Sequence, residues 1–257
     1  MPFQTIGGGR IEYERIEGDP LLPTVVMLHE GLGSVSMWKD FPERLARATQ
    51  STIVIYSRYG YGRSTPAELP RTVQYMHDEA LKTLPLFLDA LRIENPILFG
   101  HSDGGSIALI HAGGSDRKVS GVIAMAPHVM VEDISISSIA AAKRAYETTD
   151  LRDRLARYHD DVDGAFWGWN NIWLDPAFRT WNIEHYLPAI SCGVLAIQGS
   201  QDEYGSMEQL ERIERLAPDL RLCKIERCRH SPHRDRPEVV LEAVTTWINR
   251  HERGRNL

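Results

Sequence analysis

The amino-acid sequence predicts an α/β fold: a mainly parallel sheet with helices on both faces. Two observations carry this. Short, continuous apolar runs recur along the 257 residues, and stretches with apolar residues three and four positions apart separate them. A run that is apolar at every position suits a strand buried on both faces, the condition of a parallel strand between two helical layers.

The elements follow in order. Residues 11–16 (IEYERI) alternate like an edge strand, and the glycines at 7–9 read as a turn before that first strand. Residues 24–29 (TVVMLH), 51–57 (STIVIYS), 97–99 (ILF) with their flanks, 119–126 (VSGVIAMA) and 193–199 (GVLAIQG) are buried-strand runs, and RLCKIE at 221–226 is strand-like. Residues 73–92 read as a helix, with Val73, Met76, Ala80, Leu84, Phe87, Leu88 and Leu91 at helical spacing. Residues 205–217 and 236–250 are similar, the last with Val239, Val240, Ala243 and Trp247 on one side.

One region breaks the alternation. Between about His128 and Pro188 no buried strand is visible. Helix-prone residues 134–157 lead instead into a segment holding Phe166, Trp167, Trp169, Trp173, Phe178 and Trp181. This reads as a helical insertion at 128–188, with residues 1–127 and 189–257 forming the main body. Tryptophans so close in sequence first suggest a small core within the insertion. Rings left over from that core would face a ligand, and Trp167, Trp169 and Trp173 are the candidates for substrate contact.

Composition narrows the function. With 42% apolar and 25% charged residues the chain can fold and bury a sizeable core. The formal net charge is −6 and no basic run stands out, which argues against nucleic-acid binding. Three cysteines, Cys192, Cys223 and Cys228, form no disulfide, zinc or redox pattern, so a reducing cytoplasm is expected. The start, MPFQTIGGGR, shows no secretory leader, and the apolar runs fall far short of the ~18 residues of a membrane span. No metal and no organic cofactor is expected. A homo-oligomer is compatible with all of this.

The chemistry lies at residues 97–105, I-L-F-G-H-S-D-G-G. Gly100-His101-Ser102-Asp103-Gly104 is a G-x-S-x-G motif between an apolar strand and a helix-compatible stretch, the context that gives the motif meaning. A sharp strand-to-helix turn lifts the serine hydroxyl above the sheet, where a base can take its proton. Side chains at the flanking glycines would collide with strand and helix. The turn also puts Ser102 at a helix N-terminus, where backbone N–H groups stabilise negative charge.

The carboxylate and histidine should follow in that order. Asp202 lies just past the 193–199 strand, with Glu203 as its neighbouring rival. His230 and His233 lie in C-R-H-S-P-H, between RLCKIE and the last helix. His230 is the expected base, because it comes first after the strand, and His233 then suits a helix start or a supporting role. An oxyanion site needs two backbone donors. One is the N–H of Asp103, after the nucleophile; the other falls in His29-Glu30-Gly31-Leu32-Gly33, at Gly31 with Leu32 as the alternative. His29 reads as a loop-bonding residue rather than a base. Residues 58–64 (RYGYGRS) read as a tight turn after their strand.

Together, H-E-G-L-G-S, Y-G-Y-G-R-S, G-H-S-D-G-G, Q-G-S-Q-D-E-Y-G and R-H-S-P-H-R-D-R-P-E span residues 29–238, and this ordered set resembles the α/β-hydrolase superfamily. The resemblance implies a mostly parallel sheet of about eight strands with a cap inserted after the sixth. It looks like the branch of small carboxylesterases, enol-lactonases and meta-cleavage-product hydrolases. Three positions depart from the usual pattern. Glu30 stands where glycine is usual and brings an anion beside the oxyanion loop. Arg229 replaces a glycine before the histidine. Asp103 replaces an apolar residue or glutamine, and its carboxylate should disfavour anionic groups nearby.

The leading expectation is a serine hydrolase of a small carboxylic ester or lactone, with Ser102 as nucleophile, His230 as base and Asp202 as its orienting acid. One alternative uses the same residues to cleave a C–C bond in a meta-cleavage product, which calls for a cationic clamp on the substrate carboxylate. Another is a non-catalytic small-molecule receptor on the same fold. Dehalogenases and epoxide hydrolases of this fold use aspartate where Ser102 stands.

Overall fold

The computed structural model describes residues 2–255. Eight strands form one sheet: β1 (Phe3–Ile6), β2 (Gly9–Ile16), β3 (Val25–Leu28), β4 (Ile53–Tyr56), β5 (Ile97–His101), β6 (Gly121–Met125), β7 (Gly193–Gly199) and β8 (Leu220–Ile225). Their order is β1-β2-β4-β3-β5-β6-β7-β8. The pairings β1–β2 and β2–β4 are antiparallel and the rest are parallel.

The apolar runs become the central strands for the reason their composition suggests. Along β3, Val26 and Leu28 enter the core on one face, and Val25 and Met27 the core on the other. The helices are α1 (Phe41–Thr49), α2 (Tyr75–Asp78), α3 (Leu84–Ala90), α4 (Asp103–Gly114), α5 (Asp133–Thr148), α6 (Leu151–Leu155), α7 (Val162–Leu174), α8 (Glu208–Leu216), α9 (Pro232–Asp235) and α10 (Pro237–Arg255). Helices α1 and α10 cover one face through Phe41, Leu45, Val240, Val244 and Trp247. Helices α3, α4 and α8 cover the other. No described helix is long and apolar enough to cross a membrane.

Four sequence expectations need correction. IEYERI is not the edge: β1 lies outside β2, and the glycines at 7–8 turn between the two strands. β1 was invisible because only Ile6 of its four residues is buried. The 73–92 helix begins at Tyr75 and is broken into α2 and α3 by a wider turn over Glu79–Thr83. On α10, Val239 is exposed, and the buried side is Val240, Leu241, Val244, Trp247 and Ile248.

The fourth concerns residues 128–188. The chain there runs through α5, α6, α7 and two short turns of 3-10 helix, with one antiparallel bridge, Met130 to Asn182. Phe166 stacks on Tyr146 at 3.7 Å and Phe178 on Trp181 at 5.3 Å. These rings do not form a separate small core. They belong to the same buried cluster as the α3–α4 face of the sheet. A single apolar phase buries more surface than two small ones, so the segment docks rather than standing apart.

Candidate active site

Ser102 sits between β5 and α4 with φ 53° and ψ −119°, a backbone conformation that L-residues rarely adopt. The surroundings enforce it. A Cβ at Gly100 would run into the Gly104 carbonyl, and one at Gly104 into the Leu28 carbonyl of β3. The Ser102 amide donates to the Met125 carbonyl at 2.9 Å, and the Ser102 carbonyl accepts from the Ser106 amide at 3.0 Å. The glycines let α4 start against the sheet, and the serine is left at its head.

The loops after β7 and β8 bring the other two groups to the same place. His230 Nε2 lies 3.0 Å from Ser102 Oγ, and His230 Nδ1 lies 2.8 Å from Asp202 Oδ1. The carboxylate can only accept, so Nδ1 carries the proton and Nε2 is free to take one from the hydroxyl. Asp202 Oδ1 also accepts from the amides of Tyr204 and Gly205. Burial pushes the Asp202 carboxyl up, but the His230 charge and hydrogen bonds outweigh it, so its pKa falls below the usual value. For His230, burial acts downward, and the facing Asp202 carboxylate reverses the balance and raises it above 6.5.

The rivals occupy different places. Glu203 Oε2 accepts the His230 backbone amide at 3.1 Å, and its carboxylate faces Arg229; it braces the loop and does not meet the imidazole. His233 lies in the first turn of α9, buried beside Trp38 and Phe41, with neither ring nitrogen bonded. Burial and His101 hold its pKa well below 6.5. His101 donates Nε2–H to the His230 carbonyl at 2.8 Å.

Residues 30–33 form a turn closed by the Gly33 amide on the Glu30 carbonyl, 3.0 Å. Gly31 and Leu32 are its central residues and both line the cavity. Gly31 is glycine because of space: a Cβ there would penetrate the indole of Trp169. His29 bonds the loop, as expected of it. Its Nδ1 donates to the Glu30 carbonyl at 2.6 Å and its Nε2 accepts the Arg58 amide at 3.0 Å. Burial, then the charge of Arg58, keep it neutral.

The departures noted in the sequence now have partners. Burial pushes the Glu30 carboxyl up, but His101 and Arg234 hold it well below its usual value; the two lie 3.5 and 3.3 Å away. Asp103 borders the cavity with its carboxylate buried, accepting from Tyr75 Oη at 2.7 Å, with Arg58 Nη2 at 3.8 Å. Tyr75 Oη in turn accepts from Trp173 Nε1 at 3.0 Å. Arg229 is exposed and its amide donates to Asp235.

Above Ser102 lies a cavity of about 170 Å³. Ile139, Trp169, Trp173 and Tyr204 wall it, with Gly31, Leu32 and His230 below. Trp167 is absent from this lining. It packs edge-on against Phe166 and Tyr146, because it projects from the other side of α7, beside Leu69 and Pro70. His128 was missed at the sequence level. It is 2% exposed, lines the cavity beside Trp173, and is held neutral by burial and by His230, with a pKa of about 4. Tyr75, Tyr204 and Arg58 were also missed, since nothing in their local sequence separates them from helix or turn residues.

A mostly parallel sheet that lifts a serine on a strained turn and answers it from two later loops defines the α/β-hydrolase class. The chain belongs to the alpha/beta hydrolase family, whose model matches residues 25–243. Among curated relatives, it is 24% identical to a proline iminopeptidase of Levilactobacillus brevis, over 98% of this chain and 96% of that protein. It is 21% identical to the sn-1-specific diacylglycerol lipase ABHD11 of Mus musculus, over 93% and 85%. Among solved structures, a carboxylesterase from the study of Nitrososphaera gargenis superposes with a TM-score of 0.81 at 18% identity, covering 98% of this chain and 100% of that one. The enol-lactonase of Burkholderia xenovorans LB400 superposes with 0.75 at 18%, covering 96% and 100%. At these identities the solved structures bear on fold; their substrates differ from one another.

Proposed function

We propose that the protein is a serine hydrolase of small, uncharged carboxylic esters or lactones. The observation that carries this is the continuous relay Ser102–His230–Asp202 beneath a cavity of about 170 Å³. Ser102 Oγ attacks the carbonyl carbon as His230 Nε2 takes its proton. The N–H groups of Asp103 and Gly31 bind the oxyanion, and Asp202 stabilises the imidazolium. The proton then passes to the leaving alcohol. Water, activated by the same histidine, releases the acid and restores Ser102.

Residues 128–188 act as the cap in this reading and set the substrate. A cavity of about 150 Å³ accommodates a benzene-sized guest, so this one suits a compact acyl or aryl group rather than a long lipid chain. The described residues lining it include no lysine or arginine, while Glu30 and Asp103 border it. That weighs against the carboxylate-bearing substrates of C–C hydrolysis. The intact relay weighs against a receptor without turnover.

The test is a panel of compact, long-chain and carboxylate-bearing esters, lactones and a dienoate, run on wild type and on Ser102→Ala. Compact neutral esters or lactones should be best, and Ser102→Ala should lose roughly 10³-fold or more in kcat while staying folded. A folded Ser102→Ala protein with near-normal turnover would end the serine mechanism. Preference for the dienoate or for long chains would overturn the substrate class.

A further inference from the structure

We infer that Arg58 is the positioning residue of the oxyanion site, aiming the Gly31 N–H by clamping the carbonyl of the same peptide unit. The inference rests on the serine-hydrolase reading and adds to it a residue that never touches substrate. Arg58 lies two residues past β4 and is 2% exposed. Burying a guanidinium is costly unless its surroundings answer it. They do so on two sides. Nη2 donates to the Glu30 carbonyl at 2.9 Å and approaches the His29 carbonyl at 3.3 Å, while Asp103 Oδ2 lies 3.8 Å away. The ring of Tyr61 sits 4.9 Å from the guanidinium carbon.

The Glu30 carbonyl is the informative acceptor. It takes three donors: Arg58 Nη2, His29 Nδ1 at 2.6 Å and the Gly33 amide at 3.0 Å. That carbonyl and the Gly31 N–H belong to one planar trans peptide, so they point in opposite directions. Fixing the oxygen on Arg58 and His29 fixes the N–H on the opposite side, and Gly31 borders the cavity. The same guanidinium offsets the charge of Asp103, whose own amide is the other proposed donor. Without it, the Asp103 carboxylate would stay buried beside the cavity with no cation to offset it. Arg58 thus serves both donors at once, and a residue that only filled space there would need no charge.

The test uses a compact ester and its thionoester, in which sulfur replaces the carbonyl oxygen. Sulfur is a weak acceptor, so the thionoester draws little on the oxyanion site. Arg58→Met combined with Asp103→Asn removes the guanidinium without leaving an unpaired buried charge. Loss of folded protein or of the triad lowers both rates alike and leaves their ratio unchanged. Loss of oxyanion alignment lowers the ester rate selectively. We expect kcat on the ester to fall about 100-fold, the scale of one misplaced donor, and the thionoester rate to fall less than about 10-fold. Should the double variant not fold, Arg58→Lys keeps the charge on a side chain that ends short of the Glu30 carbonyl and should lower the ratio in the same direction. An unchanged ratio in whichever variant folds overturns the inference. Ser102→Ala, run alongside, should abolish both activities; if it does not, the underlying hydrolase reading fails instead.

Discussion

Replacing Gly31 by alanine tests how closely the segment above the sheet holds the loop proposed to supply an oxyanion donor. The backbone at Gly31 is ordinary, so the effect is one of space. The added methyl would lie about 1.2 Å inside the 3.4 Å of ordinary contact with the indole Nε1 of Trp169. The indole is 6% exposed and braced edge-on by Phe166 at 6.0 Å, so it cannot swing into solvent. Either the ring or the loop must shift by about 1 Å. A displacement of that size at a positioning group costs about 10²-fold, or about 2.7 kcal/mol of transition-state stabilisation. Trp169→Ala clears the obstruction. The assay is therefore kcat/KM on a compact aryl ester for wild type, both single variants and the double variant, with unfolding midpoints measured in parallel. Gly31→Ala should lose about 100-fold. The double variant should recover much of that relative to Trp169→Ala alone, a coupling of about 2 kcal/mol. Gly31→Ala within threefold of wild type, or a double variant that recovers nothing, would refute the reasoning.

Three further outcomes are expected. His230 must be neutral to act as base, and Asp202 raises its pKa, so kcat/KM should climb with pH to a plateau with its midpoint above 6.5. Asp202→Asn removes the largest raising influence and leaves burial opposed by Glu203 and Glu30, so the midpoint should move down while kcat falls by about 10⁴-fold; a midpoint that stays put in a pH–rate profile would detach Asp202 from His230. His230→Ala should be nearly inactive. His233→Ala should keep activity within about 100-fold and lose about 2 kcal/mol of stability through the gap beside Trp38 and Phe41, measured by urea unfolding; the reverse pattern would show the two roles exchanged. Trp173→Phe should alter KM or substrate ranking, since Trp173 walls the cavity and bonds Tyr75, whereas Trp167→Ala should change stability only. A changed ranking from Trp167→Ala would mean the cavity extends beyond its present walls.

Much of this protein is legible in one dimension. Val25–Leu28, Ile53–Tyr56 and Gly193–Gly199 declare themselves because a strand covered on both faces has no polar side to show. Ser102 is legible because its turn excludes side chains at Gly100 and Gly104, a steric demand written in adjacent residues. Asp202 and His230 are picked out by their places after strands; that Asp202 meets the imidazole while Glu203 bonds the His230 amide is decided by the folded loops. What the chain alone could not decide depends on contacts between residues distant in sequence. The edge strand β1 exists because β2 offers it a partner, with little apolar signal of its own. Trp167 and Trp169 look alike in sequence, yet two residues around a helix turn one toward the cavity and the other away. Arg58 reads as an ordinary turn residue. Only folding brings it against the Glu30 carbonyl, 28 positions back, and near the Asp103 carboxylate. Burial of a charge is a property of the assembled surroundings, since its cost and its compensation both come from groups that local sequence does not place beside it.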